Sequence, residues 1–206
     1  MAPNQPPLRL RRDLRAARRA LSPRQQRQHA AAVARHLGRN PRLRRVRRIA
    51  LYLPADGEVD PGPLRERLAR PVRRWYLPVL RQHPRGRLWF VRQRRGERLR
   101  RNRFGIPEPL RRSGAILPGH ALDLVLVPLV GFDGRCNRLG MGGGFYDRSL
   151  AFRRWRRHWQ RPLLIGLAHE CQRVAQIAAR PWDVPVDAVV TELGLQWCAR
   201  PADPDG

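Results

Sequence analysis

The stretch LDLVLVPLVGFDGRCNRLGMGGGFYDR, Leu122 to Arg148, sets a nearly continuous apolar run ahead of a loop with four glycines in five positions. Leu124, Val125, Leu126, Val127, Leu129 and Val130 show no polar alternation, the pattern of a strand buried on both faces in a parallel sheet. Pro128 trims its hydrogen-bonding end. Phe132-Asp133-Gly134 turns the chain, the glycines follow, and Tyr146 to Trp159 has helical spacing through Leu150, Trp155 and Trp159. Strand, glycine loop and helix in that order predict an α/β fold.

Outward from this segment the remaining chain alternates in the same way. Leu8 to Leu37 is helical, broken at Ser22-Pro23, where serine caps and proline opens a second helix that Gly38 ends. Strands are expected over Arg48 to Leu53, Arg74 to Leu80, Arg87 to Arg92, Leu163 to Ala168 and Ala188 to Thr191, with a short helix at Pro61 to Arg70. Phe104 to Pro109, with two prolines and a glycine, predicts a loop without regular structure, ordered by Phe104 and Ile106. The expectation is one domain over residues 1–206: a central mainly parallel or mixed sheet flanked by helices, an N-terminal helical segment, and a flexible tail at 193–206.

Length permits one sizeable core. No eighteen apolar residues are consecutive and Met1 to Pro7 has no secretory h-region, so a soluble, cytoplasmic protein without a membrane partner is expected. Cys136, Cys171 and Cys198 are odd in number and far apart in sequence, which reads as reduced thiols. The net charge of +27 invites a nucleic-acid reading. Yet every one of the 43 basic residues is arginine, and they are scattered over segments of different expected structure. The basic face of the first helix, Arg9, Arg11, Arg12, Arg15 and Arg18, reads as solvated charge. An arginine-rich nucleic-acid-binding protein is the alternative, and no specific nucleic-acid partner is expected.

Successive glycines let backbone N–H groups converge on an oxyanion. Arg138 and Arg148 add donors suited to phosphate, and Asp147 a carboxylate for a divalent cation. The set predicts a nucleoside triphosphate site with Mg2+; a flexible turn is the bland alternative. Neither GxxxxGK[ST] nor GxGxxG is matched, since lysine is absent and Phe145 stands at the last glycine of the second. Another ATP-dependent enzyme acting on a small acid is the remaining alternative. Glu58, just beyond a strand end in the turn Ala55 to Glu58, is an acid in a basic chain.

At these residues the chain resembles the 5-formyltetrahydrofolate cyclo-ligase family, also called 5,10-methenyltetrahydrofolate synthetase. The resemblance rests on Val127-Pro128 through Phe132-Asp133 and on Arg138 to Arg148. It extends to Tyr52-Leu53-Pro54 with Glu58-Val59-Asp60, Gly105 to Pro109, Gly166-Leu167-Ala168 with Gln172, and Trp182-Asp183 leading to Val190-Thr191-Glu192. Leu8 to Glu192 is covered. Where the family often has a lysine this chain has Pro7, and Phe145 replaces a common tyrosine.

The resemblance implies ATP-dependent closure of 5-formyltetrahydrofolate, free or carrying a polyglutamate tail, to 5,10-methenyltetrahydrofolate. ATP phosphorylates the formyl oxygen and N10 attacks the activated carbon. It implies ATP contacts from Arg9, Arg11, Arg138, Leu139, Gly140, Met141, Gly142, Gly143, Gly144, Phe145 and Tyr146, with Arg138 and Tyr146 catalytic. Substrate contacts fall to Leu53, Glu58, Met141, Gly142, Gly143, Gly144 and Phe145, and Mg2+ to Asp147 and Asp183. The arginine excess is assigned to the acidic polyglutamate tail.

Overall fold

A computed structural model describes residues 7–80, 86–94, 96–101, 105, 107–109, 115–155 and 161–198. Two helices, α1 (Pro7–Arg19) and α2 (Pro23–Gly38), precede β1 (Arg48–Ala50), α3 (Gly62–Arg67), β2 (Arg74–Leu80) and β3 (Leu88–Arg92). Short strands β4 (Leu99–Arg101), β5 (Pro107–Pro109) and β6 (Ile116–Leu117) lead to β7 (Leu124–Pro128) and the hairpin of β8 (Gly131–Phe132) and β9 (Arg138–Leu139). Then come α4 (Phe145–Leu150), β10 (Leu163–Leu167), β11 (Ala188–Val190) and β12 (Leu195–Trp197).

The main sheet has eight strands in the order β12-β11-β10-β7-β1-β2-β3-β6. From β11 to β2 every neighbouring pair is parallel, while β12, β3 and β6 add antiparallel edges. Strand β7 lies near the middle and explains the layering. Leu124 and Leu126 enter a core shared with Val33 and Leu37 of α2 and Leu64 of α3. Val125 and Val127 point the other way, into a core that holds Leu150 of α4. Both faces are apolar, so both must be covered.

Local signals account for the helix starts. Ser22 accepts from Gln25 N–H while the Gln25 side chain accepts from Ser22 N–H, a reciprocal cap with Pro23 at the first turn. Among the described residues no helix is long and apolar enough to cross a membrane.

Several expectations need correction. Pro107–Pro109 is a strand after all, pairing antiparallel with Leu99–Arg101; a two-stranded ribbon tolerates proline where the missing N–H faces outward. Phe104 and Ile106 lie outside the described residues. The helix expected to run to Trp159 stops at Leu150 and continues as a 3-10 turn to Arg154, leaving Trp155 exposed; Trp159 lies outside the described residues. Leu195–Trp197, expected in a flexible tail, instead adds an antiparallel edge to β11. Cys136 and Cys198 form a disulfide with Cα atoms 5.8 Å apart, and only Cys171 is a free thiol. Sixty-two residues of separation concealed a contact that the sheet order creates.

The basic face of α1 is not simply solvated either. Arg11, Leu14, Arg15 and Arg18 share one helix face, and it is the inward one. Leu14 packs on Val130, Leu139, Val174 and Ile177. Arg18 is fully buried: its Nε donates to Asp56 O at 2.8 Å, Nη1 to Leu129 O at 3.1 Å and Nη2 to the Asp56 carboxylate at 3.0 Å. Burial alone would raise the Asp56 pKa, but the hydrogen bonds from Arg15 and Arg18 hold it below the ordinary aspartate value. One guanidinium thus fixes α1 to the turn after β1 and to the end of β7. Arg18→Met is expected to lower unfolding free energy by about 2–3 kcal/mol in urea titrations, because it strands a buried carbonyl and a paired carboxylate. A loss within error of zero would show that water replaces these bonds without cost.

Candidate active site

In the main sheet the chain proceeds from β1 to β2 and β3 on one side, and from β7 to β10 and β11 on the other. Loops leaving the C-terminal ends of β1 and β7 therefore diverge, and open α/β sheets bind ligands in the crevice this creates. A cavity of about 520 Å3 lies there. Its walls come from Tyr52, Leu53 and Glu58 after β1, Pro128 and Val130 at the end of β7, and the glycine loop. Leu77, Leu80 and Leu88 make one side apolar.

The glycine loop is held by two arginines. Arg11 Nε of α1 donates to Gly140 O at 2.8 Å. Arg148 Nη2 donates to Gly143 O at 2.6 Å and to Gly86 O at 3.1 Å, tying the loop to the chain before β3. Gly142 and Gly144 have φ of 97° and 60°, which side chains resist. At Gly143 the restriction is space: a Cβ there would stand 2.7 Å from the Phe145 ring. Gly144 leads directly into α4, which has only six residues. Backbone N–H groups and nearby arginines, rather than a long helix dipole, are what this loop offers an anion.

Arg138 is more committed than the sequence implies. Its Nε donates to Val184 O at 2.9 Å and its Nη2 is paired with Asp147; Nη1 lies towards Gly140. It orients the loop at least as much as it offers donors to a ligand. Asp147 Oδ1 takes both Arg138 and Val184 N–H, and Asp183 Oδ2 accepts Arg180 N–H at 2.9 Å. Each carboxylate has its other oxygen unengaged among the described residues, and both line the cavity. Two such oxygens suit a hard cation that completes its shell with phosphate and water, as Mg2+ does.

Glu58 is half-buried, its side chain 12% exposed. Burial raises its pKa above the ordinary glutamate value, and the Arg18 guanidinium, 3.7 Å away, opposes the rise. Its Oε2 accepts Ala55 N–H at 3.2 Å. Tyr146 lies close enough that the Glu58 charge adds to burial in raising its phenol pKa, so the hydroxyl stays a neutral donor. Tyr52 donates to Val59 O at 2.6 Å beneath them.

Leu53, Glu58, Arg11, Arg138 to Asp147 without a gap, and Asp183 all line the one cavity. Arg9 does not: it pairs at 3.9 Å with Asp13 on the exposed side of α1, so its position gives no support to an ATP contact. Sequence reading takes Arg18 for solvated charge and Arg148 for a phosphate donor, whereas both hold the walls through main-chain oxygens. The signal for Arg18 was its place on the same helix face as Leu14. Asp133 was also missed as a structural group. It is buried in the β8–β9 hairpin and accepts from the N–H groups of Arg135, Asn137 and Ile177 and from the Asn137 amide.

Residues 4–192 match the sequence profile of the 5-formyltetrahydrofolate cyclo-ligase family. The chain is 40% identical over 178 residues to the Escherichia coli K12 5-formyltetrahydrofolate cyclo-ligase, covering 86% of this chain and 96% of that protein. It is 38% identical over 179 residues to the Haemophilus influenzae protein of the same name, covering 86% and 92%. The NMR structure of Aquifex aeolicus 5,10-methenyltetrahydrofolate synthetase superposes with a TM-score of 0.78 at 29% identity, over 96% of this chain and 95% of that one. By profile, by sequence identity and by fold, the chain belongs to the 5-formyltetrahydrofolate cyclo-ligase family.

Proposed function

We propose that this protein is a soluble cytoplasmic enzyme that closes 5-formyltetrahydrofolate to 5,10-methenyltetrahydrofolate at the expense of ATP. The observation that carries the reading is one cavity at the β1/β7 divergence containing the glycine loop, Glu58, Tyr146, Asp147 and Asp183 together. The relatives' names supply the substrate class, and the geometry supplies parts suited to it.

In this reading the formyl oxygen attacks the γ-phosphorus and ADP departs. N10 then adds to the formyl carbon, the C–O bond breaks with loss of phosphate, and the N10 proton is released. Little covalent work falls to the protein; it positions groups and stabilises charge. The N–H groups of Gly142 to Gly144 receive the triphosphate, and Arg11 keeps that loop in place from α1. Glu58, when ionised, accepts pterin N–H donors. The neutral Tyr146 hydroxyl donates to oxygen at the reacting end, where Leu53, Leu77 and Val130 exclude water. Asp147 and Asp183 would hold Mg2+, which supplies positive charge for the phosphate oxygens. Arg11 and Arg180 on the cavity wall suit the acidic tail of a polyglutamylated substrate.

Mixing enzyme, 5-formyltetrahydrofolate and Mg-ATP is expected to produce the absorbance of the methenyl product with stoichiometric ADP. Folded protein that gives neither overturns the proposal. Asp147→Asn keeps an acceptor for Val184 N–H and is expected to reduce turnover by about 100-fold while remaining folded by circular dichroism; unchanged turnover removes Asp147 from the site.

The Glu58 shift has two consequences of opposite sign. Its raised pKa stabilises the fold at low pH, and that contribution is lost as pH rises through the folded value, so Glu58→Gln is expected to fold as well as the parent at neutral pH. Substrate affinity runs the other way: it is expected to fall as pH drops through a value above that of ordinary glutamate. The Gln variant should bind weakly with a flat profile. An identical pH profile in both proteins would exclude Glu58 as the acceptor.

A further inference from the structure

On the opposite side of the turn that carries Glu58, three potential metal ligands converge. His29 stands on α2, His169 follows β10, and Glu192 follows β11; His169 is fully buried and the other two are half-buried. His29 Nδ1 and His169 Nδ1 are 2.9 Å apart, and His29 Nδ1 is 3.6 Å from Glu192 Oε1. One ligand atom from each of the three lies within 4.8 Å of the other two.

The groups around these residues aim them at a common point. His169 Nε2 is 3.1 Å from Gly57 O, which only accepts, so Nε2 carries the proton and in the neutral ring Nδ1 presents its lone pair. A histidine whose second nitrogen donates to a backbone carbonyl is the usual arrangement behind a metal–imidazole bond. Glu192 is held in turn by Glu170 N–H, 3.0 Å from Oε2, while His36 Nε2 is 3.2 Å from the Glu192 carbonyl oxygen. Without an ion, the two imidazoles satisfy each other through one shared proton, and the carboxylate is too far from His29 to accept it.

We propose that His29, His169 and Glu192 form a binding site for a divalent transition-metal ion of the zinc type, separate from the Mg-ATP cavity. Bonds of about 2.0–2.1 Å at tetrahedral angles separate ligand atoms by roughly 3.3 Å. The two spacings from His29, 2.9 and 3.6 Å, straddle that value and the third lies within 4.8 Å, so side-chain rotation that draws Glu192 towards His169 brings the three ligands onto the ion. Two imidazoles and one carboxylate select a borderline ion over Mg2+, and the open fourth position takes water. The ion joins α2 to the ends of β10 and β11. Through His169 Nε2–H it also firms the bond to Gly57 O, next to Glu58.

The test uses untagged full-length protein, stripped with chelator, in excess Mg2+ to fill oxygen-rich sites. Titration with Co2+ is expected to give visible d–d bands saturating at one equivalent, displaced by Zn2+, with a rise in thermal midpoint. His29→Ala, a good helix former on a half-buried position, and Glu192→Gln are each expected to weaken binding at least about tenfold while retaining the far-ultraviolet spectrum of the parent. No band and no thermal shift in the parent overturns the proposal. A band of unchanged affinity in both folded variants also overturns it, because the ion then sits elsewhere.

Discussion

Burial of both faces of β7 is the constraint from which the rest of the structure follows. A strand whose alternate side chains, Leu124 and Leu126 against Val125 and Val127, are all apolar cannot sit at a solvent face. It requires helices on both sides and parallel neighbours, β1 and β10, with crossover connections. Since the chain leaves β1 in one direction and β7 in the other, a crevice opens between their C-terminal ends. The site is where it is because the strand is apolar on both faces.

Polar interactions then give this crevice its shape. Arg18 ties α1 to the turn after β1 and to Leu129 at the end of β7. Arg11 and Arg148 hold the glycine loop by its carbonyl oxygens. In each case an arginine donates to main-chain oxygen. Part of the large positive charge is thus structural. The half-buried pair Arg138 and Asp147 repeats the theme, with each partner also bonded to Val184 backbone. Desolvation makes such pairs costly unless their donors and acceptors are met; the Val184 backbone meets Arg138 Nε and Asp147 Oδ1, and the second Asp147 oxygen is left for the cavity.

The same turn that presents Glu58 to the cavity presents the Gly57 carbonyl to His169 on its other side. Glu58 and the histidine pair are therefore mechanically adjacent although they face different spaces. Burial raises the Glu58 and Tyr146 pKa values together, leaving a carboxylate that ionises late and a phenol that does not ionise near neutrality. An acceptor and a donor side by side suit a heterocycle with both kinds of edge.

The sequence by itself determined the elements with strong periodicity or local capping: α1 and α2 around Ser22-Pro23, β2, β7 and β10, and the order of strand, glycine loop and helix. Those features depend on neighbours in the chain, so composition and spacing carry them. The glycine loop and Asp147 were legible as a candidate site from residue type, Glu58 only as an acid beyond a strand end, and Asp183 only through the family resemblance. Only the tertiary structure decided that Arg18 is buried, that Cys136 meets Cys198, that Pro107–Pro109 pairs as a strand, and that His29, His169 and Glu192 converge. Each of these contacts joins residues that the sheet order brings together from distant parts of the chain, except the proline strand, whose partner lies close by but whose propensity argues against it. Long-range packing outweighs local preference at such positions, and no window of sequence contains the partner that supplies the energy.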